Sequence, residues 1–73
     1  MARPTIRVAV LEVLADGRER TAYDLGAEIN AKYGHSISSV QMEMSYLAQH
    51  RTIERRRDKR RYFYRRNDLT AAA

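Results

Sequence analysis

The sequence predicts a small α+β domain: three helices followed by a two-stranded antiparallel hairpin, with room for one brief strand between the first two helices. Three observations lead there. Apolar residues recur at helical spacing through three segments before residue 50. After His50 the period changes, and Ile53, Tyr62, Phe63 and Tyr64 stand among arginines, a composition that suits strands. Cap and stop residues separate the segments. The chain has 73 residues, the length of one domain. A single domain is expected over residues 1–73, with its core in about 5–66 and residues 67–73 as a frayed tail.

The first helix is expected from about Thr5 to Ala15. Pro4 suits a helix start, and Ile6, Val10, Val13 and Leu14 define one face. Asp16-Gly17 ends it, since glycine adopts left-handed backbone readily. Val8 and Leu11 lie off that stripe. A helix apolar on more than one side reads first as a central helix covered by its neighbours, and second as one whose extra face is a dimer contact. Arg18 to Arg20 are polar and form a loop or one brief strand.

Thr21-Ala22-Tyr23-Asp24 resembles a capping box with aspartate in place of glutamate. The second helix then carries Ala22, Leu25, Gly26, Ile29 and Tyr33 on one side, and Gly34 stops it. Glycine weakens a helix interior by about 1 kcal/mol relative to alanine. Gly26 on the apolar face therefore points to a second helix crossing closely there.

His35-Ser36-Ile37 is read as the link to the third helix. Ser38-Ser39-Val40-Gln41 forms a second capping box, with Ser38 as the cap. Val40, Met44 and Leu47 make the inward stripe. At about 100° per residue, Ser38, Met42, Ser45, Tyr46 and Gln49 fall on the opposite side. That side is small, polar and uncharged, where an ordinary solvated face carries lysines and glutamates.

Thr52–Arg57 and Arg60–Arg66 are the expected strands, with Asp58-Lys59 as a two-residue turn. This turn pairs Arg57 with Arg60 and Ile53 with Tyr64. Ile53, Tyr62 and Tyr64 then share the core face and Phe63 points outward. A shift of one residue reverses this, and the sequence leaves the register open.

The net charge is +5 and the isoelectric point about 10.1, which favours an anionic partner. The excess is local. Residues 51–66 hold Arg51, Arg55, Arg56, Arg57, Lys59, Arg60, Arg61, Arg65 and Arg66 against only Glu54 and Asp58. A balanced body with one basic edge reads as a binding face rather than a solvated one.

Other functions find little support. There is no cysteine, so neither a disulfide nor a thiolate metal site is available, which fits a reducing cytoplasm. The longest apolar run, Val8 to Leu11, is too short for a membrane span or a signal peptide. His35 and His50 have neither paired carboxylates nor cysteine beside them. They read as a loop residue and a helix-end residue facing its own carbonyl dipoles. No enzymatic role, metal or cofactor is expected, and the expected location is the cytoplasm, on the nucleoid.

The order of elements and these residues together resemble the winged helix-turn-helix superfamily over about residues 5–66. The likeness rests on the Thr21-capped second helix and the Ser38-Ser39-Val40 start of the third. It rests also on the Val40, Met44, Leu47 stripe, on Ile53, and on the Arg-Tyr-Phe-Tyr-Arg strand that closes the hairpin. The resemblance implies that the third helix enters the major groove of double-stranded DNA and that the hairpin wing touches the backbone or minor groove. The chain departs from the pattern at Arg51, where relatives usually have glycine, and so carries one more cation there. No extra dimerisation helix or effector domain is expected beside it.

The expected base-reading set is Ser38, Ser39, Gln41, Met42, Ser45, Tyr46 and Gln49. Glutamine makes bidentate contacts to adenine, and an exposed methionine suits a thymine methyl. Tyr46 reaches a base edge or a phosphate. Ser38 and Ser39 sit where free helix amides can meet phosphate. The expected backbone contacts are Arg51, Arg57, Lys59, Arg60 and Arg61, because cations give affinity without sequence information. The resemblance adds Thr21 and Tyr23, with Arg18 and Arg20 at the same end of the site. Three functions fit: a sequence-specific duplex DNA binder that regulates transcription, an architectural DNA or RNA binder, and a protein–protein module. For the first, two copies side by side on DNA are expected, with Val8 and Leu11 as the candidate apolar contact.

Overall fold

Helix α1 (Ile6–Val13) starts at Thr5, whose hydroxyl accepts a hydrogen bond from the Val8 amide at 3.3 Å. The helix tightens into a 3₁₀ turn, Leu14–Asp16, and stops at Gly17 with φ of 79°. The structure, a computed structural model, describes residues 3–67. Of the expected frayed tail, residues 67–73, Asn67 is described and is tied down, its Nδ2 donating to the Arg51 carbonyl at 2.6 Å; residues 68–73 lie outside the described residues. Strand β1 (Arg20–Thr21) follows, then α2 (Ala22–Tyr33), α3 (Ile37–Gln49), β2 (Ile53–Asp58) and β3 (Arg61–Arg66). The architecture is α+β, with three helices against a three-stranded antiparallel sheet ordered β1-β3-β2. The brief strand is therefore present, and the hairpin is part of a larger sheet. No helix of the described residues is long and apolar enough to cross a membrane.

Thr21 caps α2 by accepting from the Asp24 amide at 3.0 Å, and Gly34 ends it at φ of 80°. Gly26 is buried where α3 crosses: a Cβ placed there would stand 3.0 Å from Ile37 Cγ2. That contact corrects the start of α3. The cap is Ser36, not Ser38. Its hydroxyl accepts from the Ser39 amide at 3.2 Å and donates to the Ser39 hydroxyl at 2.7 Å. Starting the helix two residues early makes Ile37 its first residue and seats it on Gly26. A cap at Ser38 would have left this apolar side chain in the link.

His35 is not a simple loop residue. It is buried, with Nε2 2.8 Å from the Pro4 carbonyl, while Asn30 Nδ2 donates to the His35 carbonyl at 2.8 Å. The pair ties the start of the described chain and the end of α2 to the approach of α3.

At the other end of α3 the Arg51 amide donates to Ala48 at 3.1 Å and the Thr52 amide to Leu47 at 2.9 Å. This is the Schellman arrangement, which calls for a left-handed residue at the first position after the cap. Arg51 occupies it with φ of 60°. The expected departure from glycine is thus accommodated by backbone strain, not by a different turn.

The core contains Ala9, Val10, Val13 and Leu14 from α1 and its extension, Leu25 and Ile29 from α2, and Val40, Met44 and Leu47 from α3. Ile53 and Tyr64 join it from the sheet, and Ile6 packs against it partly buried. Val8 and Leu11 are 51% and 39% exposed, so α1 is not a central helix. Its neighbours cover one side only, and the second apolar side faces outward.

The wing register also differs from expectation. Arg57 pairs with Tyr62, Arg55 with Tyr64 and Ile53 with Arg66, so the turn is Lys59-Arg60 rather than Asp58-Lys59. The shift is by two residues. An even shift keeps every side chain on its expected face, which is why alternation alone does not detect it. Ile53 and Tyr64 point inward as expected, and half-buried Phe63 lies on the opposite face. Tyr62 shares the inward face but extends past the edge of the core and is 40% exposed.

The observed cap and the expected one make different predictions. Ser36→Ala is expected to cost about 1 kcal/mol of stability, whereas Ser38→Ala is expected to change it little. Chemical denaturation of both variants checks this, and a larger loss for Ser38→Ala would contradict the cap assignment.

Candidate nucleic-acid interface

The outer face of α3 consists of exposed Ser38, Met42, Ser45, Tyr46 and Gln49. Met42 is 76% exposed, a large apolar side chain with no local cover. Ser39 is exposed too, but its hydroxyl is engaged by Ser36. Tyr46 is held at its rim. The His50 ring lies 4.3 Å from it, and the Arg7 guanidinium stands 5.3 Å over its face while bonding Glu43 at 2.9 Å. Arg7 and His50 were not among the expected site residues. The Tyr46–His50 spacing of one helical turn was visible in sequence; the reach of Arg7 from α1 was not.

Gln41 is half-buried and turns to a cleft of about 430 Å³ between the start of α2 and the wing. Thr21, Tyr23 and Asp24 form one wall of it, and Arg60, Arg61 and Tyr62 the other. The cleft thus gathers expected residues from three elements and adds Tyr62. The side chains of Lys59, Arg60 and Arg61 have no hydrogen bond or ion pair among the described residues. They are available for an external anion.

Strand alternation sorts the wing's charges. Cross-strand pairing puts Arg55, Arg57, Tyr62 and Tyr64 on the face that continues from the core. That face carries no carboxylate. Glu54, Arg56, Asp58, Arg61, Phe63 and Arg65 share the opposite face. There Arg65 bonds Glu54 at 2.6 Å, and Arg56 meets Glu19 at 2.8 Å and Asp58 at 3.9 Å. Arg56 also lies over the Phe63 ring at 4.5 Å. The result is one cationic face and one whose acids are matched by arginines.

Not every expected cation is placed with the others. Arg51 stands apart, in a shallow groove at the end of α3 shared with Ala48, Ile53 and Arg55. Arg18 is exposed, and its backbone amide donates to Asp16 Oδ1 at 2.9 Å. Arg20 is committed elsewhere. It grips Asp16 through two bonds of 3.0 and 2.7 Å and reaches Glu28 at 3.1 Å, and its side chain is only 16% exposed. Its geometry is that of an internal clamp between the 3₁₀ turn and α2. No protein-family model matches the chain, and no curated protein matches it in sequence.

Hydrogen bonds from Arg20, aided by the Arg18 amide, hold the Asp16 carboxyl well below the usual carboxylate range, and Arg56 lowers that of Glu19. Both are depressed, so their stabilising effect is present above the ordinary carboxylate value of about 4 and is lost as pH falls through and below it. Arg20→Gln is therefore expected to lower the melting temperature at neutral pH and to flatten its decline on acidification. It should leave the salt dependence of any anion binding unchanged. Melting curves between neutral and acid pH check this; an unaltered acid dependence would show that Arg20 is not the clamp.

Proposed function

We propose that the protein is a winged helix-turn-helix domain that binds double-stranded DNA in a sequence-specific way and acts as a transcriptional regulator. The observation that carries this reading is the continuity of three surfaces. The uncharged outer face of α3 runs through Gln41 into the cleft, and the cleft runs along Arg60, Arg61 and Tyr62 into the wing. α3 is the reading element and enters the major groove. Gln41 and Gln49 have the donor and acceptor pair that adenine requires, and Met42 suits a thymine methyl. Thr21, Tyr23, Arg60 and Arg61 hold the phosphates that border the groove, which sets the register of α3 without reading bases. Lys59 at the wing tip reaches the backbone or minor groove. Such a protein works on the nucleoid in the cytoplasm.

The architectural alternative shares the cations but gives the outer face of α3 no task. An exposed Met42 among uncharged polar residues favours reading, since a helix that only sat near phosphates would gain from lysines there. A protein–protein module has no use for the acid-free wing face. Two copies bind side by side, with Val8 and Leu11 of α1 as the contact between them, because a single module of about 600–1,000 Å² of buried surface gives limited specificity.

Gln41→Ala and Gln49→Ala, together with Tyr46→Ala, remove no charge. They should leave the salt dependence and the affinity for scrambled duplex nearly unchanged. Each variant that loses a bidentate base contact should weaken binding to the selected site by about 1–3 kcal/mol. Paired titrations on a site selected from random duplexes and on a scrambled one, at fixed salt, measure the split and the stoichiometry. Equal losses on both duplexes would favour the architectural reading, and one protein per selected duplex at saturation would exclude the paired arrangement.

A further inference from the structure

Arg7 leaves α1 and reaches the side of α3 that bears Tyr46. Its Nε donates to Glu43 Oε1 at 2.9 Å, and its guanidinium carbon stands 5.3 Å from the centre of the Tyr46 ring. Glu43 and Tyr46 lie three residues apart on α3 and so are neighbours on its surface. One guanidinium group therefore bridges a carboxylate and an aromatic face. The carboxylate fixes where the group sits, and the positive charge attracts the face of the ring. His50, one turn on from Tyr46, meets the same ring at 4.3 Å with the planes tilted by 40°. Its backbone is anchored, because the His50 amide donates to the Tyr46 carbonyl at 3.1 Å.

Neither stability nor charge accounts for this arrangement. An exposed ion pair contributes little to stability, and α1 and α3 already share a buried core. The charge of Arg7 is met by Glu43, so the pair adds little to a site for phosphate. What the cluster does accomplish is to hold Tyr46, which is 46% exposed and so remains open to a partner. A tyrosine free on a helix surface samples more than one rotamer, and fixing it on binding costs affinity. A ring already held by Arg7 and His50 has lost that freedom before a partner arrives.

We infer that Arg7 is a positioning residue that acts through Tyr46: with Glu43 and His50 it holds the tyrosine in the orientation that reads a base edge. The inference rests on the duplex-reading proposal above and brings α1, which supplies no reading residue of its own, into sequence discrimination. A hydroxyl held in one direction suits a base edge, where donor and acceptor positions differ from one base pair to the next.

A double-mutant cycle on the selected and the scrambled duplex, at two salt concentrations, tests this. Arg7→Gln should weaken binding to the selected duplex by about three- to tenfold, the cost of ordering one side chain. It should leave the scrambled duplex and the salt dependence nearly unchanged. In the Tyr46→Ala background the same substitution should alter neither affinity, because the residue through which Arg7 acts is gone. Glu43→Gln, which leaves Arg7 without its anchor, should lower discrimination as Arg7→Gln does. Wild type that binds both duplexes alike would overturn the sequence-reading proposal itself. Wild type that discriminates, beside Arg7→Gln and Glu43→Gln variants that discriminate equally well, would overturn the positioning role alone. An equal loss on both duplexes with a weaker salt dependence would make Arg7 a phosphate contact. An undiminished loss in the Tyr46→Ala background would make it a structural support. Either result overturns the inference.

Discussion

β3 is hydrogen-bonded on both sides, to β1 through Tyr64 and Phe63 and to β2 along its whole length. Tyr64, near its centre, is buried with Ile53 against the helices. On this double pairing the orientation of the basic hairpin depends. A hairpin joined to the body only through the end of α3 would swing, because an isolated two-stranded ribbon is marginal in water. Here the short β1 closes the far edge of β3, and two longer ties reinforce it. Arg66 Nη1 donates to the Ala15 carbonyl at 2.9 Å, and Arg56 bonds Glu19 just before β1. The wing is thus set at a fixed angle to α3 before any partner arrives, which lowers the ordering cost of binding.

The charge asymmetry of the wing follows from the same sheet. Strand side chains alternate with a period of two, so Glu54 and Asp58 must share a face, and Arg55 and Arg57 must share the other. The face bearing the acids turns toward Glu19 and is internally matched. The opposite face keeps its positive charge and adjoins the cleft and α3. A run of basic residues that looks uniform in one dimension becomes a two-sided object once folded, with acids matched by arginines on one side and no carboxylate on the other.

The order of helices, the Thr21 cap, the stops at Gly17 and Gly34 and the close crossing at Gly26 were legible in the sequence, because each depends on residues within one helical turn or on a single missing side chain. The inward stripe of Val40, Met44 and Leu47 was legible for the same reason. The cap of α3 was not, because Ser36 and Ser38 both offer a serine at the right spacing, and the choice is made by Ile37 reaching Gly26 in another helix. The wing register was missed because a shift of two leaves the buried set intact. Tyr62 was assigned to the correct face but not to its distance from the core. Periodicity put Val8 and Leu11 off the inward stripe but did not show how far they stay exposed. In the candidate site, the α3 face and the wing cations were visible from composition. The neutralisation of Arg20 by Asp16 was readable as a four-residue spacing, while the Arg56–Glu19 and Arg7–Glu43 pairs join residues far apart in the chain and required the fold.

The proposed function requires that one continuous surface, formed by the outer face of α3, the cleft at Gln41 and the acid-free side of the wing, receive double-stranded DNA. Its most direct test is an NMR titration of isotopically labelled protein with duplex DNA, following every backbone amide. Binding through that surface should shift Ser38–Gln49, Thr21 and Tyr23, and Arg55, Arg57 and Lys59–Tyr62, with Glu54 and Glu28 little affected. Perturbations centred on Glu54, Arg56 and Arg65, or confined to Val8 and Leu11 with α3 silent, would contradict it.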